Sequence, residues 1–426
     1  MRIDASRRSV DLDPRDPGFF SIPYAAYRAI REKLPRFKWE QYGHWCFATH
    51  ADVSALLRDR RFGRQVLHVM SREELGWPET PVHVKPFYDF ESRSLLELEP
   101  PEHTRLRGLV NRAFLSREVE RLKPAIETLA HELIDGFAPA GQADLLAAFA
   151  TPIPVMVIAD LLGVPRDMAA KLLDWSHRMV AMYQFRRDAE VEGGAVVATE
   201  EFSAYMRGLV AERRRTPRND LLSGLVAAET EQGRLGEDDI VVTAILLLNA
   251  GHEATVHAIG NGIKTLLDRA VDPGAAFVDE ASTAAHVEEL LRIEAPLHLF
   301  TRYALEDVDL EDLRLRKGEK IGLLLGAANH DPARFTAPET FDPRRSPNPH
   351  VSFGAGIHFC VGAPLARLEL QVALPILFRR LPRLRLAGCT ALARHLPFPR
   401  PRKPPRRVVA IKVDSWLDVG ASAPSR

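Results

Sequence analysis

The stretch from Asp238 to Ala270, DDIVVTAILLLNAGHEATVHAIGNGIKTLLDRA, constrains this chain more than any other. Its apolar residues recur at three- and four-residue intervals, and through AILLLNA they cover nearly every face of the helix they predict. A helix on a protein surface keeps a polar side for water. This one lacks it, so it must run through the middle of the molecule with other elements packed around it. Gly251 stands inside it at a cost of about 0.8–1 kcal/mol relative to alanine. Such a glycine needs a cause, and two are open: close approach of a flat ligand, or close packing of a neighbouring helix.

The flanking sequence supplies the packing partners. From about 102 to 270 helical periodicity dominates, as in HTRLRGLVNRAF, VERLKPAIETLAHELIDGF and RDMAAKLLDWSHRMVAMY. Short alternating runs around WCFATH, RYALEDVDL and LRLRKGEKIGLLLG predict strands, and a last helix is expected over about 361–380. The fold class is therefore mainly α with a minor antiparallel β region. Lys plus Arg and Asp plus Glu both total 57, so no net field favours nucleic acid or an anionic membrane. The N-terminal stretch has no apolar run fit for a signal peptide, and no segment reaches roughly 18 uninterrupted apolar residues. The expectation is a soluble, cytoplasmic protein with no membrane anchor. The three cysteines, Cys46, Cys360 and Cys389, form no C-x-x-C pair, which argues against a disulfide framework or a structural zinc site.

One cysteine lies in an unusual setting: Phe353-Gly-Ala-Gly-Ile-His-Phe-Cys360-Val-Gly-Ala-Pro-Leu-Ala-Arg-Leu-Glu369. Gly354 and Gly356 permit a tight turn that a β-carbon would obstruct, and Cys360 falls at the start of the final helix. Free N–H groups and the helix dipole there favour a thiolate, a soft anionic ligand suited to iron. The spacing F-G-x-G-x-H-x-C-x-G resembles that of the cytochrome P-450 family. Three more stretches match the family in order. Glu289-Leu-Leu-Arg292 is similar to its E-x-x-R helix, whose acid and base share a face and form a buried ion pair. ANHDPARFTAPETFDPRR, 328–345, resembles the loop before its haem site, with Phe341 and Arg344 where residues lock onto that ion pair. PPEHTRLRGLVNRAF, 100–114, resembles its haem-facing helix.

The resemblance covers about 14–412 and implies a single domain over 1–426, with a long central helix over haem b whose iron is held by the Cys360 thiolate. It implies that His103, Arg107, Arg302 and His358 contact the haem propionates, and that Ala250, Gly251, Phe353, Gly354 and Gly362 also border the cofactor. The family's oxygen-activating pattern A-G-x-[DE]-T-[ST] corresponds to Ala250-Gly251-His252-Glu253-Ala254-Thr255. Glu253 fits the acid. Ala254 stands at the alcohol position and has no hydroxyl, while Thr255 is turned about 100° from it unless a bulge re-aims the helix.

The implied activity is mono-oxygenation of an apolar small molecule, terpenoid, steroid-like or aromatic, with electrons from a separate ferredoxin and ferredoxin reductase. Arg105, Arg112 and Arg367 are candidates for meeting an acidic ferredoxin. The implied substrate wall includes Phe87, Tyr88, Phe90, Met182, Tyr183, Phe185, Leu247, Ala250, Leu297, Leu299 and Phe300, with Asn249 and His298 as polar candidates. Ala254 keeps open a peroxide-using or rearranging haem-thiolate enzyme, and a haem sensor without turnover is the non-catalytic alternative.

Overall fold

The computed structural model describes residues 1–113, 119–183, 188–230, 233–386 and 410–412. Phe185, Cys389 and the Arg112 side chain lie outside the described residues. Seven short strands form one sheet: β1 Arg2–Asp4, β2 Ser9–Asp11, β3 Arg36–Trp39, β4 His44–Phe47, β5 Phe62–Gly63, β6 Phe300–Ala304 and β7 Lys320–Leu323. Their order is β1-β2-β3-β4-β7-β6-β5. The sheet is mixed where the sequence predicts an antiparallel one, because β2 pairs β3 in parallel and so does β4 with β7. Parallel neighbours need a crossover. Helical chain between Pro17 and Lys33 supplies the first, and most of the helical body lies between β4 and β7. Two apolar clusters pin the sheet, one around Trp39, Phe37 and Tyr27, the other around Phe47, Leu315 and Ile321.

Among the described residues, the helices that frame the interior include α1 Lys85–Glu91, α2 Glu102–Ala113, α3 Lys123–Phe137, α4 Pro152–Leu162, α5 Ala169–Val180, α6 Ala189–Arg215, α7 Glu237–Asp268, α8 Glu280–Ile293 and α9 Ala363–Arg380. The central helix α7 starts with Glu237, Asp238 and Asp239 at its positive end, and the Asp239 carboxylate accepts from the Gly236 N–H at 3.3 Å. It packs against α4, α5, α6, α8 and α9. By length and composition α7 is apolar enough to cross a membrane, but 61% of its most apolar window is buried inside the protein. It is the core helix that its all-round apolar sequence predicts.

Gly251 lies where α7 meets α4. A β-carbon there would fall 2.3 Å from Ile158 Cδ1 on α4, so the glycine lets two helices approach.

Candidate active site

The loop before α9 is built to present one sulfur. Gly354 and Gly356 both take left-handed backbone, with φ of 69° and 73°. At Gly356 a β-carbon would meet the Leu57 carbonyl oxygen at 2.3 Å, so backbone at the end of the helix His50–Leu56 closes directly over the turn. The Gly354 N–H donates to Val351 O at 2.9 Å and the Cys360 N–H to Phe353 O at 3.0 Å, which ties the two ends of the loop together. Replacing Gly356 by alanine is expected to cost about 1–3 kcal/mol, from the strained φ and the forced shift of residue 57. Thermal unfolding of the G356A protein tests this; an unchanged midpoint contradicts it.

Cys360 is exposed, yet burial pushes its thiol up, opposed by the N–H groups of Gly362 and Ala363 and by Arg107 and Arg367. A sulfur that is accessible and desolvated at once faces an enclosed space. In the polypeptide alone, burial and the N–H groups of the helix start act on this thiol in opposite directions. A metal ion reverses that balance, since a coordinating thiol loses its proton outright.

Beneath the loop, Glu289 and Arg292 are fully buried and joined by two hydrogen bonds of 2.7 and 2.8 Å. Arg292 also donates to the carbonyls of Asn329 and Pro338, both at 2.7 Å. Glu289 accepts from the Asp342 N–H at 3.0 Å and from Asn348 Nδ2 at 3.2 Å. The locking arginine is Arg345, 3.4 Å from Glu289, and not the expected Arg344, whose side chain is 94% exposed. The two are neighbours at a tight turn, closed by the Arg345 N–H donating to Asp342 O at 3.0 Å, and the turn sends their side chains in different directions. Phe341 packs near His286, and the ring that carries Arg292 and Arg345 is Phe335.

A second cluster gathers cationic and imidazole groups. The rings of His103 and His358 lie 4.4 Å apart. His103 is 2% exposed, and both of its ring nitrogens are buried with no hydrogen-bond partner. Burial, then His358 and Arg107, pull its pKa down to about 4. Arg302 is 3% exposed, and burial together with Arg64 pulls it down to about 9. Burial also lowers Arg107, with Cys360 opposing. Neither Arg107 nor Arg302 carries an ion pair among the described residues, while His358 stands 3.5 Å from Glu99. Buried polar atoms without partners, here both ring nitrogens of His103, are costly, at about 1–3 kcal/mol each. Two carboxylates would satisfy them, and that is what the propionates of a haem provide. The donor set and the accessible Cys360, the exposed cysteine among the described residues, fit the group.

The face of α7 that stays accessible in its middle runs Leu246, Asn249, Ala250, Gly251, Glu253, Ala254 and His257, a stripe between mid-helix neighbours that are buried. Ala250 is exposed although it lies mid-helix. The stripe therefore borders an internal space. It contains Ala250, Glu253 and Ala254 as expected, but Leu247 is buried on another face and Leu246 takes its place. Stepping back four residues from Ala250 in the sequence would have found it. Thr255 is 4% exposed and its hydroxyl donates to Gly251 O at 3.0 Å. Helix α7 is uninterrupted there, so no bulge re-aims it.

Other expected wall residues divide. Tyr88, Leu297 and Phe300 are partly accessible, Tyr183 is exposed, and Phe87, Phe90 and Met182 are core residues. Leu299 belongs to the cluster under the sheet, and His298 is fully buried beside Tyr27, 3.2 Å from its hydroxyl, so neither faces the stripe. On the outside, Arg105 pairs with Asp239 at 3.2 Å and Arg367 grips Glu288 with two bonds while its guanidinium covers Phe353. Both charges are largely spent within the protein.

The same arrangement recurs in known proteins. The cytochrome P-450 family model matches residues 282–382. The polyketide biosynthesis cytochrome P-450 PksS of Bacillus subtilis is 35% identical over 88% of this chain and 92% of its own length. Mycinamicin IV hydroxylase/epoxidase of Micromonospora griseorubida is 41% identical over 80% and 83%. Among solved structures, BioI in complex with an acyl carrier protein bearing hexadec-9Z-enoic acid superposes with a TM-score of 0.80 at 33% identity, covering 88% of this chain and 95% of that one. Identity at this level across nearly the full length, the shared fold and the cysteine loop with its cationic cluster leave one assignment: the chain belongs to the cytochrome P-450 family of haem-thiolate mono-oxygenases.

Proposed function

We propose that the protein hydroxylates an apolar small molecule with dioxygen, in the cytoplasm, taking electrons from a separate ferredoxin and ferredoxin reductase. The observation that carries this reading is the accessible stripe of α7 within a closed helical core, together with an accessible yet desolvated Cys360. An enclosed, largely apolar space with a few polar groups suits a small-molecule site. In this reading Cys360 holds the iron of haem b, His103, Arg107, Arg302 and His358 hold its propionates, and Phe353, Gly354 and Gly362 shape the loop around the sulfur. When bound, haem supplies dioxygen activation, and the thiolate's electron donation favours O–O cleavage.

The polypeptide orients the substrate, excludes water and moves protons. Glu253, on the accessible stripe, is the group able to pass protons into the cavity. Ala254 offers no hydroxyl, and Thr255 is engaged with the Gly251 carbonyl. Glu253→Gln is therefore expected to lower turnover by about 100-fold or more, in the range of a lost general acid–base group. Thr255→Val is expected to change it by less than about twofold, the bound hydroxyl having no part in the path. Product formation with a ferredoxin pair measures both, and a large loss in T255V contradicts the assignment. Ala254 favours one second reading, a peroxide-using enzyme; NADH-dependent turnover that peroxide does not support excludes it.

The relatives extend the substrate panel. PksS is named for polyketide biosynthesis, another acts on mycinamicin IV, and BioI is seen with a fatty acyl chain on its carrier. Purified protein is titrated with polyketide lactones, fatty acyl chains, terpenoids, steroids and aromatic acids while the haem absorption band is followed. A low-spin to high-spin shift with one class is expected. No shift with any class contradicts the apolar small-molecule reading.

A further inference from the structure

Tyr183, a substrate-wall residue by family resemblance, is accessible while its hydroxyl is desolvated. It keeps 44% of its accessible area, yet burial pushes its phenol well above the usual range. It ends the short turn Ala181–Tyr183 that follows α5. Its O–H donates to Glu91 Oε2 at 2.6 Å, and Glu91, the last residue of α1, is 8% exposed. Phe87, one helical turn before Glu91, stands edge-on to the Tyr183 ring with centroids 6.4 Å apart. The end of α1 thus grips Tyr183 twice, by its ring and by its hydroxyl, across a sequence separation of 92 residues.

The groups facing Glu91 set its charge. Burial raises its carboxyl to about 7, the Tyr183 hydrogen bond opposes, Glu97 adds to the rise and Arg64 opposes. Arg64 is itself paired with Glu97 at 2.6 Å, and Arg302 lies beyond it. On the same segment Asp89 is held by Lys85 and Arg93 by Asp238, and His83 bonds Glu192 at 2.7 Å.

We propose that Glu91 is a positioning residue: ionised, it fixes Tyr183 as part of the substrate cavity wall, and protonated, it lets the ring yield to a bulky ligand. A phenol O–H donating to a carboxylate makes a charge-assisted bond, roughly twice as strong as the neutral one. The grip therefore tightens as the pH rises through neutrality. This inference rests on the reading of the space above Cys360 as the substrate site.

The test uses haem-loaded wild type, E91Q and Y183F with a neutral aryl-1,2,4-triazole, a probe that does not titrate between pH 6 and 8. Dissociation constants come from the shift of the haem band. The wild type is expected to bind about fivefold more weakly at pH 8 than at pH 6. E91Q, which keeps an acceptor for Tyr183 but cannot ionise, and Y183F, which has no hydroxyl to hold, are expected to lose most of that dependence. The reduced carbonyl spectrum confirms that both variants are folded around haem. A wild type without pH dependence, or an E91Q protein that keeps it in full, overturns the inference. A purified protein with no haem band defeats the earlier reading of the site instead.

Discussion

Replacing Arg292 with leucine is expected to destabilise the protein by about 3–5 kcal/mol, because it strips the partner from a buried carboxylate. Glu289 and Arg292 have no exposed side-chain surface, and Arg292 also satisfies the carbonyls of Asn329, Pro338 and Thr340. Those carbonyls belong to the loop that leads to Cys360, so the loss is felt where the cofactor is held. Arg344→Leu provides the contrast. Its side chain is 94% exposed and touches only the neighbouring Asp342, so its effect should stay within about 0.5 kcal/mol. Denaturant unfolding of the two variants measures both. Equal losses at 292 and 344 contradict the assignment of Arg345 as the locking residue.

Replacing Cys360 with serine is expected to abolish thiolate ligation while leaving the fold intact. The loop is tied by backbone bonds, Cys360 N–H to Phe353 O and Gly354 N–H to Val351 O, and none of them involves the sulfur. Changes that only disturb the surroundings of a metal ligand cost about 10–100-fold in activity. Loss of the ligand itself should exceed that range, so turnover in C360S is expected to fall by more than about 100-fold. Retained turnover assigns the chemistry to another residue.

The parts of the molecule that were legible in the sequence are those where one residue type is physically required. Gly354 and Gly356 had to be glycines for a turn at positive φ, and the neighbouring cysteine followed from them. The apolar run of α7 foretold a buried helix because no polar face was left for water. What escaped was geometry at single-residue resolution. Arg344 and Arg345 are chemically identical, and only the path of a tight turn decides which reaches Glu289. Leu246 and Leu247 differ by about 100° of helix rotation, and the accessible stripe alone separates them. His298 looked like a polar contact for substrate and lies instead beside Tyr27, in the region under the sheet that also takes Leu299. The Tyr183–Glu91 bond joins residues far apart in the chain, and no local pattern marks it.

The most direct test is the absorption spectrum of the purified protein, reduced under carbon monoxide. Ligation of haem iron by the Cys360 thiolate predicts a carbonyl complex with the long-wavelength band typical of thiolate coordination. Absence of haem, or a carbonyl complex without that band, would contradict it.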